Sequence, residues 1–470
     1  MESDIEEIDA DEPLQPRMSL FEEYGPKLTK RMKKKLFAIQ CEALKKLNDW
    51  FSDTERKDQT AVVQMPTGSG KTGIIACLPY VFGSAVSKKK ISLDLKKPML
   101  VIAPGKVILD QLEKNLKSSS SCECFLKERE IITRSDADDA LYSVQLVQSS
   151  LDLGQLQYSK NGNIIISNAQ KFNPHPRPVT WRELPDDMFS VVMVDEAHHL
   201  PSRQWEQIIA KFRQPSTKII FFTATPDRAD GRLITTDGAL QRFGATYRLT
   251  REKAIEEGYI REVEFKPIPL ERPTKYDPAD IEKRIHYATL VINEVVQLLG
   301  KKDKECPLPG GKKHAALVIA RDTTEATQLK EKAQKNHPDM EDCIAEVHSN
   351  VHKDMRKLVL DALYDGKVRI LIIVSMLLEG FDYPPISVAA IVTRIHSCVK
   401  FAQFVGRAQR VVRQPQQEEG VKPEQEKGVK AHIVTHDYFQ QRERYEEYTK
   451  PSIPVDDDDK RFISLDRDND

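Results

Sequence analysis

Residues 61–72, Ala-Val-Val-Gln-Met-Pro-Thr-Gly-Ser-Gly-Lys-Thr, join an apolar run to a glycine-rich turn that ends in Lys71 and Thr72. The run has the composition of a buried β-strand, and a helical pattern follows the turn. Glycines allow the backbone to curl so that its N–H groups face a polyphosphate at the N-terminus of that helix. The strict pattern begins with glycine where Met65 stands, but the G-x-G-K-T core is intact. This stretch therefore predicts a P-loop.

The roles of the loop residues follow from the chemistry of phosphate. A P-loop lysine supplies a point charge for the β- and γ-phosphates, and the hydroxyl after it binds Mg²⁺. We expect these roles for Lys71 and Thr72. The residues predicted to bind the nucleotide here are Met65, Pro66, Thr67, Gly68, Ser69, Gly70, Lys71 and Thr72.

A second element, residues 191–199, is an apolar run that ends in the two carboxylates Asp195 and Glu196. Asp195 is expected to hold Mg²⁺, directly or through water. Glu196 is expected to orient or deprotonate the attacking water. An acidic strand end is common when taken alone, but this one follows a P-loop in the same chain. The two elements together predict hydrolysis of ATP with Mg²⁺.

The composition is that of an ordinary globular protein with two or three domains. The chain has 470 residues, of which 40% are hydrophobic and 30% charged. A run of 18 apolar residues is absent and the N-terminus lacks an apolar signal segment, so the sequence predicts no membrane span. Seven scattered cysteines favour a reduced, intracellular protein over a disulfide framework. Nuclear and cytoplasmic locations both stay open.

The net charge of −1 hides an uneven distribution. Residues 1–12 carry seven acids and no base, and residues 452–470 carry seven acids and three bases. The 68 bases and 58 acids between them give a net charge of +10, which permits binding to phosphate. The acidic ends are candidate contacts for protein partners. The basic run 30–35 is either a nuclear-localisation patch or the exposed face of a helix, and we favour the helix.

Apolar runs alternate with helical patterns twice along the chain, which is typical of parallel sheets built from β-α-β units. The first set of expected strands is Ala61–Gln64, Met99–Ile102, Ile164–Ile166, Val191–Val194 and Ile219–Phe222. The second set is Ala316–Ile319, Ile344–Val347, Ile370–Val374, Val388–Val392 and Ile433–Val434. The expected helices include Thr323–Asn336, His352–Tyr364 and Cys398–Val405. The sequence thus predicts an α/β fold with two sheets in tandem.

Charge runs and proline-rich stretches suggest the domain boundaries. We expect an N-terminal extension at 1–35 and a first domain at 36–268, with an insertion at about 118–162. A linker at 269–284 precedes a second domain at 285–448, and 449–470 reads as an acidic, disordered tail.

The P-loop and the acidic strand end resemble those of the superfamily-two helicases, and the resemblance covers roughly residues 36–448. Asp195-Glu196-Ala197-His198 looks like the DEAH box, and residues 222–226 look like the third motif, which couples nucleotide state to grip on nucleic acid. The resemblance implies coupling roles for His198, Thr223 and Thr225. It implies contacts with nucleic acid for Pro104, Lys106 and Ser167. Gln40 resembles the glutamine that reads adenine, although Phe37 stands where arginine is common.

The second half of the chain carries matching motifs. Ser375 and residues 379–382 resemble the fifth motif, which implies that Ser375 meets the strand and that Gly380 and Asp382 lie near the ribose. Residues 403–410 match the sixth motif, Q-x-x-G-R-x-x-R. The resemblance implies catalytic roles for Gln403, Arg407 and Arg410, with the arginines as fingers on the γ-phosphate. The guanidinium group suits this task because it is planar and keeps its charge.

Residues 223–231 and 254–259 look like the branch that contains type III restriction Res subunits and XPB-type DNA repair helicases. The resemblance implies two RecA-like domains whose parallel sheets face an ATP cleft, with nucleic acid as partner and DNA favoured over RNA. Two alternatives stay open. One is an RNA helicase, and the other is an ATP-gated switch that clamps nucleic acid without unwinding it.

Overall fold

The computed structural model describes residues 19–53, 60–88, 93–118, 123–136, 140–147, 163–168, 181–197, 203–224, 245–374, 383–412 and 429–450. Within these ranges the chain forms two parallel sheets, of seven and six strands. The predicted α/β architecture with two tandem domains is confirmed. No helix in this part of the chain combines the length and the apolar character needed to cross a bilayer.

The first sheet has the strand order β3-β4-β2-β5-β6-β1-β7, and all its pairs are parallel. Its strands are β1 Thr60–Gln64, β2 Met99–Ala103, β3 Ser143–Val147, β4 Asn163–Asn168, β5 Val191–Val194, β6 Lys218–Thr223 and β7 Tyr247–Arg248. Its helices are α1 Leu20–Lys35, α2 Ala38–Ser52, α3 Lys71–Ser87, α4 Lys106–Leu116, α5 Phe125–Glu128 and α6 Arg203–Phe212.

The second sheet has the order β10-β11-β9-β12-β13-β8 and is also parallel throughout. Its strands are β8 Val263–Ile268, β9 Ala315–Ile319, β10 Ile344–Val347, β11 Ile370–Ile373, β12 Ile386–Ile391 and β13 Ala431–His436. The helices of this half are α8 Ile281–Glu305, α9 Thr323–Asn336, α10 Lys353–Tyr364, α11 Cys398–Ala408 and α12 Arg442–Thr449. A short helix, α7 Arg251–Glu256, lies in the connection between the sheets.

Continuous apolar runs form the central strands because both faces of each sheet are covered. In β5, Val191 and Met193 belong to the core on one face, and Val192 and Val194 belong to the core on the other. Parallel strands bring their carboxyl ends to one edge. The P-loop after β1, the carboxylates after β5 and Thr223 at the end of β6 therefore meet there.

Helix α1 corrects the prediction that residues 1–35 are an extension. Phe21, Leu28 and Met32 are buried in the core of the first domain, so residues 20–35 belong to that domain. A Cβ on Gly83 of α3 would lie 1.9 Å from the Phe21 carbonyl oxygen, so the two helix backbones touch. The basic run lies on this helix, as the favoured alternative expected, and Lys35 Nζ lies 2.7 Å from Glu130 Oε2.

The boundary between the domains also differs from the prediction. Residues 263–268, assigned from the sequence to the first domain, form β8 and pair with β13 of the second sheet. The expected linker 269–284 includes the start of α8 at Ile281. The connection between the sheets is residues 249–262 instead, and it contains α7. The second domain continues to Thr449, at the end of α12.

The expected insertion at about 118–162 contains regular structure in its described part. It includes α5 and the strand β3, which pairs with β4 at the edge of the first sheet. The acidic ends at 1–12 and 452–470 lie outside the described residues.

Candidate active site

The P-loop turns from β1 into α3 through two glycines in the left-handed conformation. Gly68 has φ +86° and Gly70 has φ +98°, a region in which L side chains are strained. Ser69 closes the turn, because both its N–H (3.3 Å) and its hydroxyl (2.6 Å) donate to the Pro66 carbonyl. The loop therefore adopts a curled backbone in front of the N-terminus of α3.

The loop accepts methionine instead of glycine at position 65 because the backbone there does not need a positive φ. The φ of Met65 is not positive, and its side chain is fully buried in the core of the first domain. Its N–H donates to the Thr223 carbonyl at 2.9 Å. Thr223, expected to couple the nucleotide to nucleic acid, is thus bonded directly to the start of the P-loop.

Lys71 lies between the loop and the carboxylates that follow β5. Its Nζ donates to the Met65 carbonyl at 3.3 Å and lies 3.5 Å from Glu196 Oε1. Glu196 has φ +47°, a conformation that costs energy for a residue with a side chain, and its N–H donates to Asp195 Oδ1 at 2.9 Å.

Asp195 is a buried carboxylate next to a second carboxylate, that of Glu196. Burial and the neighbouring Glu196 carboxylate raise the pKa of Asp195 to about 7, although the Lys71 ammonium acts in the opposite direction. A divalent cation at this position would relieve both effects. Thr72 lines the same cavity, and a hydroxyl with a carboxylate is a donor pair that suits Mg²⁺.

The described residues contain no group of three or more His, Cys, Asp and Glu side chains placed to bind a metal. Mg²⁺ usually keeps several waters and takes further oxygens from a bound nucleotide, so two protein ligands suffice. Asp195 and Thr72 therefore fit Mg²⁺ bound together with a polyphosphate.

Gln40 lies against the P-loop at the start of α3. Its Oε1 accepts from the Phe37 N–H at 3.1 Å, and its Nε2 donates to the Gly70 carbonyl at 3.0 Å. A Cβ on Gly73 would lie 2.7 Å from that Nε2 and 2.6 Å from Phe125 Cζ. The glutamine and Phe125 thus occupy the space beside the first turn of α3.

Two side chains at this end of the site come from the segment that the sequence treated as an insertion. Phe125 begins α5, and the Arg129 guanidinium lies 5.3 Å from the centre of the Phe37 ring and 5.8 Å from that of Phe125. Phe37, Phe125 and Arg129 all line the cavity. Sequence reasoning missed Phe125 and Arg129 because they belong to no motif.

The second domain reaches the site through α11. Arg407 lies near the end of this helix and is 5% exposed, and Gln403 is buried one turn earlier. A Cβ on Gly68 would lie 2.9 Å from Arg410 Cγ. A Cβ on Gly406 would lie 3.1 Å from Thr67 Cβ. The P-loop and α11 are thus in close contact, with glycine on each side.

These elements enclose a single cavity of about 470 Å³ between the two domains. The predicted site residues that line it are Gln40, Thr67, Gly68, Gly70, Lys71, Thr72, Asp195, Glu196, Arg407 and Arg410. Both motif arginines and the P-loop lysine face the same space. The structure therefore brings the predicted residues of both domains together.

The residues expected to contact nucleic acid are placed less favourably. Ser167 is fully buried, and its hydroxyl donates to the Val147 carbonyl at 3.3 Å, which corrects the expectation of a direct contact. Pro104 is half-buried just after β2, and Lys106 begins α4. His198, Thr225, Ser375, Gly380 and Asp382 lie outside the described residues.

Two family models match the chain, one in each domain. Residues 33–228 match "Type III restriction enzyme, res subunit", and residues 301–412 match "Helicase conserved C-terminal domain". A curated relative, assigned as helicase 22 of Sulfolobus islandicus filamentous virus, is 24% identical over 391 residues. That match covers 80% of this chain and 62% of the relative, so this chain spans less than two thirds of its length.

Solved structures share the fold at low identity. A fragment assigned as the HsdR subunit of a type I restriction enzyme from Vibrio vulnificus YJ016 has a TM-score of 0.59 at 16% identity, over 88% of this chain and 65% of that one. The helicase MrfA bound to DNA and AMPPNP has a TM-score of 0.54 at 16% identity, over 90% and 53%. The DEAD-box helicase Mss116 bound to single-stranded RNA has a TM-score of 0.55 at 13% identity, over 88% and 72%.

Proposed function

We propose that this chain, which matches a Res-subunit model over residues 33–228 and a helicase C-terminal model over residues 301–412, hydrolyses ATP between these two domains and uses the cycle to move along or unwind nucleic acid. The observation that carries the proposal is the shared cavity. It is lined by Lys71 and Glu196 from the first domain and by Arg407 and Arg410 from the second.

The chemistry assigned to each residue follows from its position. Lys71 binds the β- and γ-phosphates, and Glu196, beside it, orients and deprotonates the attacking water. Arg407 and Arg410 neutralise the charge that develops on the transferred phosphoryl group. Asp195-Glu196-Ala197-His198 acts as a DEAH box, in which Asp195 and the Thr72 hydroxyl hold Mg²⁺. The metal, when bound, neutralises charge on the phosphate oxygens.

Adenine binds beside Gln40 in this proposal. A side-chain amide has two N–H donors and an oxygen with two lone pairs, and the contacts with Phe37 and Gly70 use one of each. The remaining donor and acceptor match the N7 and the N6 amino group of adenine. Phe37 and Arg129 supply flat surfaces for stacking, so Arg129 takes the place of the arginine that position 37 lacks.

Nucleotide binding closes the cleft, and hydrolysis reopens it, so the two domains step along the nucleic acid. The carboxyl edge of the first sheet, where Pro104 follows β2 and α4 begins, supplies part of the surface that binds nucleic acid. Grip depends mainly on phosphate contacts, for which the basic excess of residues 13–451 is suited. DNA is the favoured substrate, because the restriction subunits and MrfA share this fold and MrfA is bound to DNA.

One set of experiments distinguishes the proposed function from two other functions. An RNA helicase is supported by the similarity to Mss116, which is bound to RNA. The second alternative is an ATP-gated switch that clamps nucleic acid without separating strands. ATPase rates should be measured with single- and double-stranded DNA and RNA, next to strand displacement on the same duplexes. Greater stimulation by DNA supports the proposal, greater stimulation by RNA supports the first alternative, and ATPase without displacement or translocation supports the switch.

A further inference from the structure

The connection between the two sheets, residues 249–262, is bonded to the end of the helix that carries the motif arginines. Ile260 and Arg410 form an antiparallel bridge. The Arg261 N–H donates to the Gln409 carbonyl at 2.7 Å, and Gln409 Nε2 donates to the Arg261 carbonyl at 2.9 Å. Gln409 and Arg410 are therefore held by Ile260 and Arg261, which precede the second sheet.

The Arg261 side chain adds a second set of bonds at the same place. It is 3% exposed, and its Nη1 donates to the carbonyls of Pro384 (3.1 Å), Ile386 (2.8 Å) and Ala408 (3.2 Å). Ala408 is the last residue of α11, where helix carbonyls lack partners within the helix and favour a cation. Arg261 thus ties the end of α11 to the start of β12.

A contact from α12 holds Gln409 from the other side. The Tyr448 hydroxyl donates to Gln409 Oε1, and the Arg251 guanidinium lies over the Tyr448 ring, 4.9 Å from its centre. Arg251 Nη2 also donates to the Thr449 carbonyl at 3.3 Å. The connection therefore contacts the second domain through both α7 and Arg261.

The first domain is joined to the same connection through β7. This strand ends at Arg248, immediately before the connection, and pairs with β1, the strand that leads into the P-loop. A continuous path thus runs from the P-loop strand through β7 and α7 to Arg261 and the arginine helix. Because Arg410 Cγ fits closely against Gly68, a small displacement along this path changes the contact between Arg410 and the P-loop.

We propose that Arg261 is a positioning residue: it fixes where Arg407 and Arg410 stand relative to the P-loop, and so sets the rate of hydrolysis without touching the nucleotide. The inference rests on the proposed function, because it assumes that these arginines act on ATP. Loss of the side-chain contacts with the Ala408, Pro384 and Ile386 carbonyls loosens the connection between the end of α11 and β12, while the backbone pairing at residues 260 and 261 stays. A misplacement of about 1 Å at a reacting group costs on the order of 10²-fold in rate.

The experiment compares Arg261→Ala and Arg261→Lys with the parent in steady-state ATPase assays. We expect kcat to fall by about 10- to 10²-fold in Arg261→Ala while KM for ATP changes less than about threefold. Lysine keeps the charge, but its side chain is shorter and lacks the planar guanidinium fork, so Arg261→Lys should fall between the two. If Arg261→Ala does not fold, Arg261→Lys decides the question by the same criterion.

Arg369→Ala is the matched control. Like Arg261, Arg369 donates hydrogen bonds to the backbone of the second domain. Its Nε and Nη2 donate to the His314 carbonyl at 3.1 and 2.9 Å. It precedes β11, two strands from β12 in the sheet, and it does not line the cavity. This variant should lose stability but keep the parental kcat. An equal loss of kcat in both variants, at equal loss of stability, would show that the role of Arg261 is only structural.

A double-mutant cycle separates the inference from the proposed function. If Arg261 acts through Arg407 and Arg410, then adding Arg261→Ala to a variant that already carries Arg407→Ala and Arg410→Ala should lower kcat by less than about twofold further. If Arg261→Ala lowers kcat in that background by the same factor as in the parent, the inference is overturned while the proposed function stays intact. If Arg410→Ala alone leaves kcat unchanged, the assignment of the finger fails, and with it the proposed function.

Discussion

Replacing Gly406 with alanine should make the protein more stable and less active. Gly406 lies within α11, where alanine is favoured over glycine by about 1 kcal/mol in a helix interior. The added Cβ would lie 3.1 Å from Thr67 Cβ and 3.4 Å from Thr67 Cγ2. Carbon atoms in contact prefer about 3.5–4.0 Å, so the P-loop and α11 must separate by about 0.5 Å. Because this contact joins two domains, the cost falls on closure of the cleft rather than on the folding of either domain.

The expected result is a rise of up to about 1 kcal/mol in the free energy of unfolding with a fall in kcat on the order of 10-fold. Urea unfolding and nucleic-acid-stimulated ATPase rates measure the two quantities. Gly300→Ala is the matched control: this glycine lies within α8, and a Cβ there would meet nothing within 4 Å. Gly300→Ala should raise the free energy of unfolding by the same amount and keep the parental kcat. Parental kcat in Gly406→Ala would mean that the observed contact is not part of the catalytic cycle.

Three further variants test the first domain. Lys71→Ala should abolish ATP hydrolysis with the fold retained, and parental turnover in the folded variant would remove the P-loop assignment. Glu196→Gln should bind ATP but not turn it over, because the amide keeps the shape and loses the base; nucleotide-binding and single-turnover assays check this, and hydrolysis at the parental rate contradicts it. Arg129→Ala should weaken ATP binding by about 1 kcal/mol, or roughly fivefold in Kd, if the guanidinium stacks on adenine. Exposed Arg134, mutated to alanine, is its control, and equal Kd values would remove Arg129 from the base site.

The elements that sequence predicts well are those whose pattern is local. The central strands appear as uninterrupted apolar runs because both faces are buried, and β5 and β10 have the predicted bounds. The P-loop is recognised because strand, turn and helix follow one another directly. Helix α9 also has its predicted bounds, since the side chain of Asp322 caps its first turn.

The elements that sequence misplaced are defined by distant partners. β8 has alternating polar residues and includes Pro267, which suits an edge strand, but nothing local shows that it pairs with β13. The basic run of α1 favours an exposed helix in an N-terminal extension, whereas Phe21, Leu28 and Met32, at helical spacing, form a face that is buried in the first domain. Arg261 belongs to no motif, and its role depends on three carbonyls that only the folded chain brings together.

The central claim is that catalysis needs arginines from the second domain at a phosphate site built by the first. The most direct test measures kcat and the Kd for ATP in Arg407→Ala, with Arg442→Ala, an exposed arginine on α12, as control. If catalysis depends on Arg407, kcat falls on the order of 10³- to 10⁵-fold in Arg407→Ala, the Kd for ATP changes far less, and nucleic acid no longer stimulates the ATPase. Equal, small losses of kcat in Arg407→Ala and Arg442→Ala would contradict this claim.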